Sequence, residues 1–128
     1  MKQRVEKPWG HEIIWARTAD YVGKMLFIRR GHKLSLQYHR TKEETIFVHS
    51  GEMLFTVEQG GQLVVKTLRA GDEHHIAPGT RHRMEALSDC EVFEVSTPHL
   101  DDVVRLDDAY GRADAPVGGS PAARDDEA

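Results

Sequence analysis

"SLQYHRTKEETIF", residues 35–47, is the stretch on which the reading of this chain turns. It opens as a strand that places two polar residues, Gln37 and His39, on one face, because side chains i and i+2 of an extended chain project to the same side. Tyr38 faces the other way. A short charged turn follows, and Glu44 then leads an apolar run in which it shares parity with Ile46 and Val48. Those two read as core-facing, so Glu44 points inward among apolar neighbours. A lone buried carboxylate is costly unless it is paired, protonated or bound to a metal.

Working outward, the chain is a succession of short segments rich in Val, Ile, Phe and Thr. They are "HEIIWAR", "KMLFIRR", "KLSLQYH", "TIFVHSG", "EMLFTVE", "QLVVKTL", "EHHIAP", "HRMEAL" and "EVFEVS". Several alternate apolar with polar, the period of a strand with one buried face. Gly31, Ser50-Gly51, Gly60-Gly61, Gly71-Asp72 and Pro78-Gly79 punctuate them. Gly60-Gly61 predicts a hairpin, since both positions tolerate the positive φ that tight hairpin turns need. Strands at this spacing indicate an all-β sandwich or small barrel. No long helical period is present, although "LDDAYGR" near the end suits a single turn. From Ala113 the composition shifts to Ala, Pro, Gly and Asp, and residues 113–128 read as a disordered tail behind a single domain of residues 1–112.

Composition narrows the function classes. A chain of 128 residues holds one core. A net charge of -4 lacks the basic footprint of non-specific nucleic-acid binding. No apolar run approaches the roughly 20 residues of a membrane span, and the N-terminus has no signal-peptide core. The single cysteine, Cys90, forms no internal disulfide and suits a reducing compartment, so a cytoplasmic protein is expected.

A second block, "GDEHHIAPGTRHRMEA", turns at Gly71-Asp72 and again at Pro78-Gly79-Thr80, and opens a strand at His82 with Met84 on the same face. Gln37, His39, Glu44 and His82 together make a two-oxygen, two-nitrogen set suited to a divalent ion. Zn²⁺ is the first choice, with Mn²⁺, Fe²⁺, Co²⁺ or Ni²⁺ as alternatives.

These spacings are similar to those of a known family. Gln37-x-His39, Glu44 and Gly51 match the first cupin motif, and Gly71-Asp72, Pro78-Gly79-Thr80 and His82 match the second. With "KPWG", "LSLQYH", "PGTRHRME" and "DDVVRLDDAYGR", the chain resembles the C-terminal cupin domain of type II phosphomannose isomerases, from about Val5 to Arg112. It departs from that pattern at Arg40-Thr41-Lys42, at Ala77 and at Ala86. None of these is a proposed ligand. The resemblance implies a double-stranded β-helix, a metal in the barrel mouth, and a homodimer for which the apolar strand "EIIWAR" would supply a partner edge. It also implies aldose–ketose isomerisation of a sugar or sugar phosphate, of the mannose 6-phosphate to fructose 6-phosphate type. The guanylyltransferase often fused to such domains has no counterpart in these residues, and that activity is expected to be absent.

The same resemblance gives roles to Arg105 and Lys24, and strand parity and neighbours suggest the others. Arg105 would contact a sugar phosphate or an enediolate, unless it is a surface arginine paired with Asp101, Asp102 or Asp107. Lys24 would neutralise a phosphate, unless it is a solvated strand lysine. Glu94 is a general-base candidate if its strand turns it inward with Val92, and merely exposed if Phe93 and Val95 point in. His49 should point away from the metal, and His74 and His75 cannot both face inward. Trp9 reads as a packing anchor. Cys90, placed in a loop, has no cationic neighbour to activate it. Two other readings remain: a metal-dependent dioxygenase of the same superfamily, and a non-catalytic cupin that binds a sugar or another small ligand.

Overall fold

Alternating burial resolves into eleven strands in the computed structural model, which describes residues 2–113. They are β1 (Gln3–Lys7), β2 (Gly10–Arg17), β3 (Val22–Ile28), β4 (Leu36–Tyr38), β5 (Glu44–Ser50), β6 (Glu52–Gln59), β7 (Gln62–Arg69), β8 (Glu73–Ile76), β9 (His82–Ala86), β10 (Cys90–Ser96) and β11 (Val104–Asp107). The expected tail lies, from residue 114 on, outside the described residues. Among the described residues, no helix is long and apolar enough to cross a membrane.

The strands form two antiparallel sheets, a six-stranded one in the order β1-β2-β3-β10-β5-β8 and a five-stranded one in the order β11-β4-β9-β6-β7. This is the expected all-β double-stranded β-helix of jelly-roll type, in which consecutive strands from β3 on alternate between the two sheets except at the β6–β7 hairpin. The Gly60-Gly61 hairpin forms as expected. Gln59 pairs with Gln62, and both glycines carry positive φ, at 59° and 79°.

Between the sheets the inward positions make one apolar core around Leu26, Ile28, Ile46, Val48, Met53, Phe55, Ile76 and Val92. Trp9 is fully buried in it, as an anchor for the N-terminal segment. Cys90 is not in a loop. It is the first residue of β10, fully buried, with its thiol against the carbonyls of Glu52 and Ser88. Burial pushes that thiol up from its ordinary pKa, which suits a packing role.

Two strands escape the alternation signal. β1 reads "QRVEK" and β11 reads "VRLD", and in both the charged residues hide the period. The first of them also corrects the expected partner edge. The strand "EIIWAR" belongs to β2, which is paired on both sides, by β1 and by β3. The edges of that sheet are β1 and β8 instead, and the outward Arg4 and Glu6 of β1 form an ion pair at 2.6 Å. Short, charged strands of this kind discourage edge-to-edge pairing.

Candidate metal centre

Register aligns one row of the site. In the five-stranded sheet Arg105 pairs with Gln37, Gln37 with His82, and His82 with Val57. Directly opposed residues of antiparallel strands share a face, and all four are buried. His39 follows at the end of β4, and Glu44 faces it as the first residue of β5.

The protons on the two imidazoles are accounted for by their neighbours. His39 Nδ1 donates to the carbonyl of Asp102 at 2.5 Å, and His82 Nδ1 donates to the carbonyl of Thr80 at 2.8 Å. In the neutral rings this leaves both Nε2 atoms as bare lone pairs. They converge on one carboxylate oxygen: Glu44 Oε2 lies 2.8 Å from His39 Nε2 and 3.5 Å from His82 Nε2. Neither His39 Nε2 nor Glu44 Oε2 makes an aligned hydrogen bond, although both are buried. Three electron-pair donors from His39, Glu44 and His82 thus lie within 4.8 Å of one another, the arrangement that a divalent cation satisfies.

Electrostatics favour the same occupant. Burial pushes the His82 imidazole below its ordinary pKa against the pull of Glu44, which keeps it a neutral ligand. Burial would raise Glu44, but the buried Lys42 charge foremost outweighs it and holds this carboxyl well below the usual range. Gln37 stands beside His82, and its Oε1 accepts the Ser35 hydroxyl at 2.6 Å. An amide oxygen has two lone pairs, so one is left for a further bond.

A layer of buried charge lines the facing sheet. Lys24 on β3 is directly opposite Glu94 on β10. Glu94 accepts from Lys42 Nζ at 3.0 Å, and Lys24 Nζ reaches Glu12 at 3.4 Å. None of the four is more than 3% exposed. Burial and the Glu44 charge push Glu94 up, opposed by Lys42 and Lys24. Lys24 is pulled down by burial, against the attraction of Glu94. For Lys42, burial pulls down, but the charges of Glu44 and Glu94 carry it above its ordinary value.

The alternatives left open by the sequence resolve here. Glu94 turns inward with Val92, and Val95 points out. Arg105 and Lys24 are both buried in the interior, not at the surface. His49 points outward, against Phe93. His74 packs on Phe55, while His75 faces out to Glu43 at 2.5 Å. Lys42, Glu12 and Asp102 had no assigned role in the sequence reading. Two of them carried a signal: Lys42 shares parity with Glu44, and Glu12 with the buried Ile14. A cleft of about 320 Å³ lies at the outer corner near Tyr21, Thr45, His75 and Val95. Its walls include the outward side chains of Thr45 and Val95, and the buried Glu44 and Ser96 also line it, so the cleft reaches the metal-site carboxylate.

The chain is similar to known proteins to different degrees. Mannose-1-phosphate guanylyltransferase ManC of Salmonella typhimurium (strain LT2) is 32% identical over 117 residues. That match covers 88% of this chain and 24% of ManC, so the chain spans about a quarter of the length of its curated relative. KdgF from Halomonas sp. superposes with a TM-score of 0.64 at 26% identity, over 79% of this chain and 88% of that one. A structure of oxalate decarboxylase OxdC from Bacillus subtilis gives a TM-score of 0.73 at 15% identity, over 82% of this chain and 30% of that one, a likeness of fold alone. The cupin domain family matches residues 25–96. That stretch takes in more than half of the chain and all of His39, Glu44 and His82, so the chain belongs to the cupin domain family.

Proposed function

We propose that the chain is a metal-dependent aldose–ketose isomerase acting on a sugar phosphate, of the mannose 6-phosphate to fructose 6-phosphate type. One observation carries this reading: buried cations accompany the candidate metal set. Lys24, Lys42 and Arg105 are all buried, Lys42 acts on the Glu44 carboxylate and Arg105 lies directly opposite Gln37. Such an interior suits a substrate that brings a phosphate dianion and develops further negative charge as an enediolate. The similarity to part of ManC supports the same choice.

His39, Glu44 and His82, with Gln37 as a fourth ligand, would hold the ion. When bound, it supplies Lewis-acid stabilisation of the charge that develops on the sugar oxygens. Gln37 contributes no charge to that set and so leaves the ion more electrophilic than a second carboxylate would. Glu94, pushed up by burial, takes the proton from the carbon beside the carbonyl and returns it to the neighbouring carbon. Lys42 and Lys24 flank Glu94 and fix its orientation. Arg105, beside Gln37, binds the phosphate or the enediolate.

A second copy of the chain is the protein partner in this reading. The outer face of the six-stranded sheet carries Ile13, Met25, Phe93 and Phe47 in one register row, with Trp15 lying over Gly23 beside Val95. Six strands about 4.8 Å apart and seven residues of about 3.4 Å give roughly 700 Å² per copy, close to the ~800 Å² of a standard interface.

The test is metal analysis of purified protein followed by a coupled assay on mannose 6-phosphate. Conversion is expected, and His82→Ala or Gln37→Ala should lose metal and turnover together. Full activity in either variant would sink the metal mechanism. Binding without conversion would mean a ligand-binding cupin, and iron content with oxygen consumption would mean a dioxygenase.

A further inference from the structure

The segment that joins β4 to β5 runs outside the strand ladders, yet it must present His39 and Lys42 to the interior. One residue grips it from end to end. Asp102 Oδ1 accepts the backbone amide of Arg40 at 3.0 Å, and its Oδ2 accepts those of Thr41 at 2.6 Å and Lys42 at 2.9 Å. Its main-chain carbonyl accepts His39 Nδ1–H. Successive amides directed at one anion form a compact nest, and hydrogen bonds to a charged acceptor are the stronger kind.

We propose that Asp102 is a positioning residue that sets metal affinity without touching the metal. This rests on the metal site of the reading above. The carbonyl of Asp102 fixes the His39 tautomer that leaves Nε2 bare, and its carboxylate fixes the backbone from which Lys42 reaches Glu94. Because both grips belong to one residue, the loop cannot shift without carrying the carbonyl away from the imidazole. The same residue precedes β11 and ties the strand that bears Arg105 to the metal histidine. This gives "DDVVR" a role that Arg105 alone does not.

The test measures Zn²⁺ affinity of the metal-free chain by chelator competition, for the wild type, Asp102→Ala, Asp102→Asn and the exposed-neighbour control Asp101→Ala. Removing partners that orient metal ligands typically weakens affinity about 10- to 100-fold. A loss of that order is expected for Asp102→Ala. Asp102→Asn, which keeps one amide oxygen as acceptor, should fall between it and the wild type. Asp101→Ala should stay within about twofold of the wild type, well short of the 10-fold loss. The His39 Nδ1–H resonance of the metal-free chain should move upfield in Asp102→Ala, a signature that simple loss of stability does not produce below the melting transition. If Asp102→Ala does not fold, Asp102→Asn decides on the same two readouts. Wild-type affinity in the folded Asp102 variants, or an unmoved His39 resonance, would overturn the proposal and leave the metal site standing. A wild-type chain that binds no divalent ion would overturn both.

Discussion

Lys42 and Glu94 place opposite charges 3.0 Å apart in the interior, and neither side chain is more than 3% exposed. Desolvation takes back most of the attraction in such pairs, so their intact contribution is small, but removing one partner strands the other. Lys42→Ala should therefore destabilise the fold by about 3–5 kcal/mol. Urea denaturation at neutral pH, with Lys42→Ala/Glu94→Leu alongside, checks this. The double variant should recover much of the loss, and a Lys42→Ala chain as stable as the wild type would refute the buried pair. Lys42 also shows how far single residues were legible. Parity located Gln37, His39 and Glu44 on inward faces. The same parity pointed Lys42 inward, but a lysine in a charged turn reads as solvent-facing until a buried carboxylate is found for it. Glu94 was undecidable alone, because both faces of "VFEVS" carry apolar residues.

At the scale of elements, strands with clean alternation were visible and those with mixed charge were not. The nine short segments singled out in the sequence all appear as strands, whereas β1 and β11 emerged only through their partners. The turn after β11 is held by local chemistry. Asp108 accepts from the backbone amides of Tyr110 and Arg112 and pairs with the Arg112 guanidinium at 3.2 Å. Burial would raise this carboxyl, but Arg112 and the amides outweigh burial and hold it below its ordinary pKa. A depressed folded pKa means stability that is present above the unfolded value of about 3.9 and lost as pH falls through the folded value. Asp108→Asn should be less stable than the wild type at pH 7, and the gap should narrow as pH falls below about 4. Denaturation curves at both ends of that range test this. A gap that stays constant would mean that Asp108 acts only through its shape.

Over the whole molecule, the two sheets differ in their outer faces. The six-stranded sheet exposes Trp15, Phe47 and Val95, whereas the five-stranded one mixes Leu63 and Val65 with Glu58, Arg83 and Glu85. Phe93→Arg should convert a dimer to a monomer in sedimentation, while Val65→Arg, on the other sheet, leaves it dimeric. A wild-type chain that sediments as a monomer at micromolar concentration would remove the second copy as partner. Local periodicity and turn residues are enough to determine the number of faces, the hairpin at Gly60-Gly61 and which residues of "SLQYHRTKEETIF" look inward, because a pleated strand alternates whatever its partners. The sequence by itself therefore determined the all-β class, the family and His39, Glu44 and His82 as inward candidates. Only the tertiary structure decided that Glu12, Lys24, Lys42 and Glu94 form one buried charge layer, that β2 is no edge, and that Asp102 reaches back 63 residues to His39. Those facts depend on which strands become neighbours, and strand order is set by long-range packing that no local period records.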